Sequence, residues 1–319
     1  MKTLSETDTP VSLERYYAGV SPQLLARTRQ MWSARGLDLD AAWRATICRL
    51  RGYRTIDHCN DKIDSVPIDG VFMFDQAVIW VASLSDSASI AMRLDGMRLI
   101  PQQWEALHAV TFRMIEQLDA VRLLFLTQLP LPSMQIARSI SENVDMALAF
   151  LSRPKLARRF VECATVEEAN EFWRRHIAGG RAFRTVSQQL YRSGLEFDQS
   201  GEYENWRNSV KAVLGTAVHT SFHPPGAPTI DSSQDSFREI SDCHWFVTFR
   251  LQEMCAYSHV LQKNLREDLD VVSKHLASED GLNLGAWTSQ ISEIAVDQLR
   301  WSLANGAADA TPALSHGLQ

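Results

Sequence analysis

Three groups of residues in this chain have the types and spacing that chemistry needs. His219 and His223 stand four apart, and on one helix face that spacing can present two imidazoles to a metal. His223 precedes Pro224, which biases it away from helical geometry, and no Glu follows His219, so no metal site is expected. Arg138 and Glu142 have the i,i+4 relation of a helix ion pair. On a solvated face such a pair contributes about 0.2–0.5 kcal/mol. On a covered face it must satisfy itself, because an unpartnered buried charge is costly. Arg238 precedes His244 within a few residues, as Arg51 precedes His58. With 26 Arg and nine His such spacings also arise by chance. A lone His on an apolar stripe is, moreover, usually a core residue.

The elements that must position these residues all read as helices. Ser21-Pro22 opens one and Gly36 follows its end; Asp38 or Asp40 caps a second that runs to about Arg51. Residues 53–70 have the composition of a connector. Val71–Arg93 is apolar on all sides at its front, so period alone cannot separate strand from helix; the helical surroundings decide for helix. Pro101 opens a helix that reaches Leu129, and Pro130-Leu-Pro132 reads as a hinge between two halves. Ser133 then caps a helix whose stripe is Ile136, Ile140, Val144, Ala147 and Leu151, with Arg138, Glu142 and Asp145 opposite. Thr165-Val-Glu-Glu168 is a capping box, Gly179-Gly180 a stop, and 203–222 a helix with small residues on one face. A helix over about 237–276 carries Ile240, His244, Val247, Leu251, Met254, Ser258, Leu261, Leu265, Asp268 and Val272 at bundle or coiled-coil spacing. A last helix covers about 284–304.

The expected fold is therefore all-α, a multi-helix bundle with a long helix at about 237–276. Its expected divisions are a flexible 1–20, an N-terminal helical region 21–129, a bundle domain 133–304 and a disordered tail 305–319. Apolar residues at 45% and charged residues at 22% of the 319 residues support a packed core. The net charge of −6 argues against a protein whose main task is coating nucleic acid, though it leaves room for a local basic site. Val71–Ala82, interrupted by Asp75 and Gln76, reads as too short to span a bilayer, which takes about 20 mostly apolar residues. Five cysteines without a C-x-x-C, behind an N-terminus unlike a leader, predict reduced thiols in a cytoplasmic protein. No nucleotide loop, nucleophile elbow or zinc-protease motif occurs, and no cofactor is expected.

Arg238-Glu-Ile-Ser-Asp-Cys-His244 and the Arg51–His58 segment resemble the Arg-x4–6-His element of HEPN ribonucleases. The resemblance implies an imidazole that handles the RNA 2′-hydroxyl and a guanidinium that handles the scissile phosphate. Ile136-Ala-Arg138-Ser-Ile-Ser-Glu142-Asn143, then Arg158-Arg159-Phe160, then Leu214-Gly-Thr-Ala-Val-His219 resemble a family of uncharacterised bacterial all-helical proteins. Its members carry an Arg/Glu helix and a later Ser-x-x-x-His helix; Gly215 or Thr216 stands where that Ser would fall. The similarity covers about residues 100–275 and brings no activity with it. Two functions are expected. One is a helical binding or assembly protein, a component of a bacterial defence or stress system, with a second copy or another protein as partner. The other is a HEPN-like, metal-independent ribonuclease acting on RNA through His244 or His219 with Arg238 or Arg138. Neither expectation involves a membrane.

Overall fold

A computed structural model describes residues 12–51, 68–127, 129–194, 205, 209–210, 212–215, 240–277 and 282–306. Among these, all regular structure is helical. Three short helices come first: α1 (Leu13–Tyr16), α2 (Pro22–Ser33) and α3 (Leu39–Thr46). Asp38 caps α3 by accepting the Ala41 amide at 3.0 Å, as its position predicts.

The body is built around α4 (Ile68–Ala91), whose side chains are buried on every face from Gly70 to Ser85. A helix apolar all round has no face to give to water and must be covered on all sides. The covering helices are α5 (Pro101–Leu126), α10 (Ile240–Leu261) and α12 (Thr288–Gly306), while α6 (Pro130–Ser152) packs on α5 and α10. By length and composition α4 could cross a bilayer, a property its interrupted apolar run did not suggest; 89% of its most apolar window is buried inside the bundle. Four tryptophans are sealed in this core, and three of them place the indole N–H on an acceptor: Trp32 on Gln76 Oε1 at 3.1 Å, Trp43 on the Tyr17 hydroxyl at 3.1 Å and Trp80 on Ser292 Oγ at 3.0 Å.

Two expectations about helix ends are corrected. Pro130 and Pro132 do not separate two halves as a loop; they lie in the first turn of α6, which starts at Pro130. Proline suits that turn because its missing N–H would have no intrahelical partner there. The helix expected over 237–276 is two described helices, α10 and α11 (Leu265–Leu276), divided at Gln262–Asn264. The apolar spacing runs across the break, so the period could not reveal it. The seam has Val247, Leu251, Met254, Leu265 and Val272 all buried inside the chain. Its polar member Asp268 accepts the Arg98 and Leu99 amides at 2.7 and 2.9 Å and so holds the turn that leads into α5.

After α6 comes a hairpin-like lobe of α7 (Pro154–Val161), α8 (Val166–His176) and α9 (Arg181–Arg192). The capping box forms as predicted: the Glu168 amide donates to Thr165 Oγ1 at 3.2 Å, and the Glu168 carboxylate accepts from the Thr165 amide. Gly179 and Gly180, at φ 64° and 74°, turn the chain into α9 in a conformation that favours glycine. Phe150, Phe160 and Phe172 pack in sequence with tilted rings, at 4.8 and 5.6 Å between centroids, and fasten the lobe to α6.

Candidate functional site

The polar face of α6 is only partly wet. Arg138 Nε lies 3.6 Å from Glu142 Oε1, and the two side chains are 28% and 24% exposed. They form the expected ion pair in an intermediate setting. Helical residues at 212–215 pass close by, and a Cβ on Gly215 would stand 3.2 Å from Arg138 Nη1. A small residue is what permits that approach, in keeping with the small face read from the sequence. Beside the pair, Asn143 donates to Gln117 Oε1 and Gln117 donates to Ser139 Oγ, both at 2.8 Å, which ties α5 to α6.

One turn further along, the face is fully covered. Asp145 is buried and accepts from Arg250 Nη2 of α10 at 2.7 Å. Arg250 Nε donates to Ser141 Oγ at 3.2 Å, and its Nη1 pairs with Glu253. One cation thus serves two buried carboxylates. Burial and the neighbouring Asp145 push Glu253 well above the usual carboxylate range, against a lowering by the Tyr257 side chain. The fold therefore favours the protonated form of Glu253 more than water would.

A second buried charge cluster joins α4 to α5. Arg122 grips Asp75 with two bonds, Nε to Oδ1 at 2.8 Å and Nη2 to Oδ2 at 3.1 Å, and neither side chain is exposed. The Tyr17 hydroxyl donates to Asp75 Oδ2 at 2.6 Å, and Arg122 Nη2 also donates to the Tyr16 hydroxyl. Burial works against the Arg122 cation, but Asp75 and the two tyrosines outweigh it and raise its pKa. Burial and the Asp75 charge likewise drive the Tyr17 hydroxyl upward, so it remains a donor.

His244 lies next to this cluster, between two rings. Its imidazole stacks on Phe74 at 4.4 Å and on Phe125 at 4.0 Å between centroids. It is 1% exposed, and its Nε2 has no hydrogen-bond partner. Burial first, and then the Arg122 charge, lower its pKa to about 3. It is a neutral ring in an aromatic sandwich, remote from any surface at which a substrate proton could be exchanged.

Of the residues singled out in the sequence, Arg138 and Glu142 meet each other and His244 lies elsewhere in the core. His219 and Arg238 lie outside the described residues, as do His58 and His223. Among the described residues no cluster of three or more potential ligands could hold a metal. Sequence reasoning passed over Asp75, Arg122, Arg250 and Glu253 as chemistry-bearing residues. A signal existed for three of them: Asp75 interrupts a solidly apolar run, Arg122 falls on the stripe between Leu118 and Phe125, and Arg250 sits beside the seam residues Val247 and Leu251. A charge in such a place requires an opposite charge elsewhere in the core. In comparisons with family models, curated proteins and solved structures, the chain matches none.

Proposed function

We propose that this chain is a helical binding or assembly protein whose internal charges fix helix packing and do not turn over a substrate. The observation that supports this reading is the confinement of those charges. Asp75–Arg122 and Asp145–Arg250 pair between helices, Glu253 pairs with Arg250 along α10, and His244 is sealed between Phe74 and Phe125. A metal-independent ribonuclease needs the opposite arrangement, an Arg and a His converging on a cleft that admits the 2′-hydroxyl and the scissile phosphate. Fixed buried pairs are well suited to holding helices in one register for a partner to recognise, since breaking such a pair is costly.

The test is an RNA cleavage assay without metal on the full chain, with His244→Phe, His219→Ala, Arg238→Ala and Arg138→Ala beside the parent. The binding reading expects background cleavage from all five proteins. Cleavage by the parent that is lost in folded His219→Ala or Arg238→Ala would replace it with the ribonuclease reading.

A further inference from the structure

The charge of this chain is unevenly placed. Residues 153–192 hold nine Lys or Arg against four Asp or Glu, a net +5, whereas the remainder holds 23 against 34, a net −11. These residues form the α7–α9 lobe, and much of its negative charge is spent locally. The Glu168 carboxylate takes the Ala164 and Thr165 amides, and Glu171 pairs with Arg174 and Arg175. Arg181 is likewise occupied, by the Arg174 and Ala178 carbonyls at 2.7 and 3.0 Å. Among the described residues no carboxylate pairs with Arg153, Lys155, Arg158, Arg159, Arg184 or Arg192, and all six are exposed. Arg159 from α7, Arg175 from α8 and Arg181 from α9 all act on His176, whose pKa burial first and then these three charges lower.

Two large rings stand out in the same lobe, Trp173 at 44% and Tyr191 at 69% exposure. Unpaired bases offer flat faces to such rings while their phosphates answer arginines. Duplexes keep their bases stacked, and an acidic protein surface meets the charge but gives the rings nothing to stack on. A bilayer would need an apolar helix face, yet Ala157, Phe172, Val186 and Leu190 are already buried against the bundle.

We propose that the α7–α9 lobe binds single-stranded nucleic acid, with Lys155, Arg158, Arg159 and Arg192 on its phosphates and Trp173 and Tyr191 against its bases. This rests on the reading of the chain as a binding protein and names the class of its partner.

Fluorescence anisotropy with the full chain and a labelled single-stranded RNA of mixed sequence tests it, with the single-stranded DNA and the RNA duplex alongside. Four phosphate contacts predict a slope of roughly −3 in log affinity against log salt. Arg158→Glu/Arg159→Glu should weaken binding by about tenfold or more at low salt, and Arg158→Lys/Arg159→Lys should retain most of it. Trp173→Ala should cost about fivefold or more with single strands and little with duplex. Thermal melts check that each variant is folded. No binding of single strands at low salt, or equal binding by the folded Glu variant, would overturn the proposal. So would preference for duplex, displacement of RNA by poly-glutamate at matched charge, or binding to phosphatidylserine vesicles that survives Trp173→Ala. A gel of the same samples separates the two readings: degraded RNA defeats the non-catalytic reading, while intact, unbound RNA defeats only this one.

Discussion

The two buried arginine clusters answer the same problem with different charge counts. Arg122 meets one carboxylate, Asp75, in a two-bond grip completed by Tyr17. Arg250 meets two carboxylates, Asp145 and Glu253, and burial together with the neighbouring Asp145 raises the pKa of Glu253. The second cluster therefore contains a group whose ionisation is opposed by the fold. The difference shows that a buried cation is not a sufficient description of a polar core; the number of anions around it decides whether the site responds to pH.

The largest expected effect comes from removing either cation. Arg122→Met leaves Asp75 buried without its partner and should cost about 3–5 kcal/mol in chemical denaturation at neutral pH. Arg250→Met should be similarly harmful at neutral pH. In both variants the deficit should shrink in acid, where a stranded carboxylate can take up a proton, and a deficit that stays constant down to acidic pH would contradict this account.

An intermediate effect is expected at His244. Its folded pKa, about 3, lies below its ordinary value of 6.5, so at acidic pH the unfolded chain binds a proton that the folded one refuses. Its contribution is intact above pH 6.5 and is lost as pH falls from there towards 3, at up to about 1.4 kcal/mol per pH unit. His244→Phe keeps an aromatic ring between Phe74 and Phe125 and gives up no Nε2 hydrogen bond. The variant should be less sensitive to acid than the parent in denaturation at pH 7 and pH 5, and an unchanged difference between those pH values would contradict this account.

The smallest effect is expected from Glu253→Gln, since burial and Asp145 already oppose the charge of the parent side chain. Loss at neutral pH should stay within about 1 kcal/mol. The raised pKa also has a sign: the folded state retains a proton that the unfolded Glu releases, so this group's stabilisation is present below its ordinary 4.5 and declines as pH rises through the folded value. Glu253→Gln should flatten that decline, which denaturation midpoints across neutral and alkaline pH would record.

Much of the architecture was legible because helix signals are local. The Asp38 cap, the Thr165–Glu168 box and the Gly179-Gly180 stop each depend on residues within a few positions, and each forms where its pattern placed it. The pairings were not legible, because Asp75 with Arg122 and Asp145 with Arg250 span 47 and 105 positions, and no local period encodes a partner. The Arg138–Glu142 pair was readable as i,i+4 neighbours, but its half-covered setting depends on residues at 212–215. His244 was seen on the apolar seam, whereas its two ring neighbours come from α4 and α5.

The sealing of α4 also sets a timetable for synthesis. Trp80 and Ser87 find their hydroxyl partners Ser292 and Thr288 at separations of 212 and 201 residues. At about 5–20 residues per second a ribosome takes roughly 10–40 s to cover that distance. For that interval the nascent chain carries a long greasy helix without its final cover, so newly made protein should depend on holding chaperones far more than the finished molecule does.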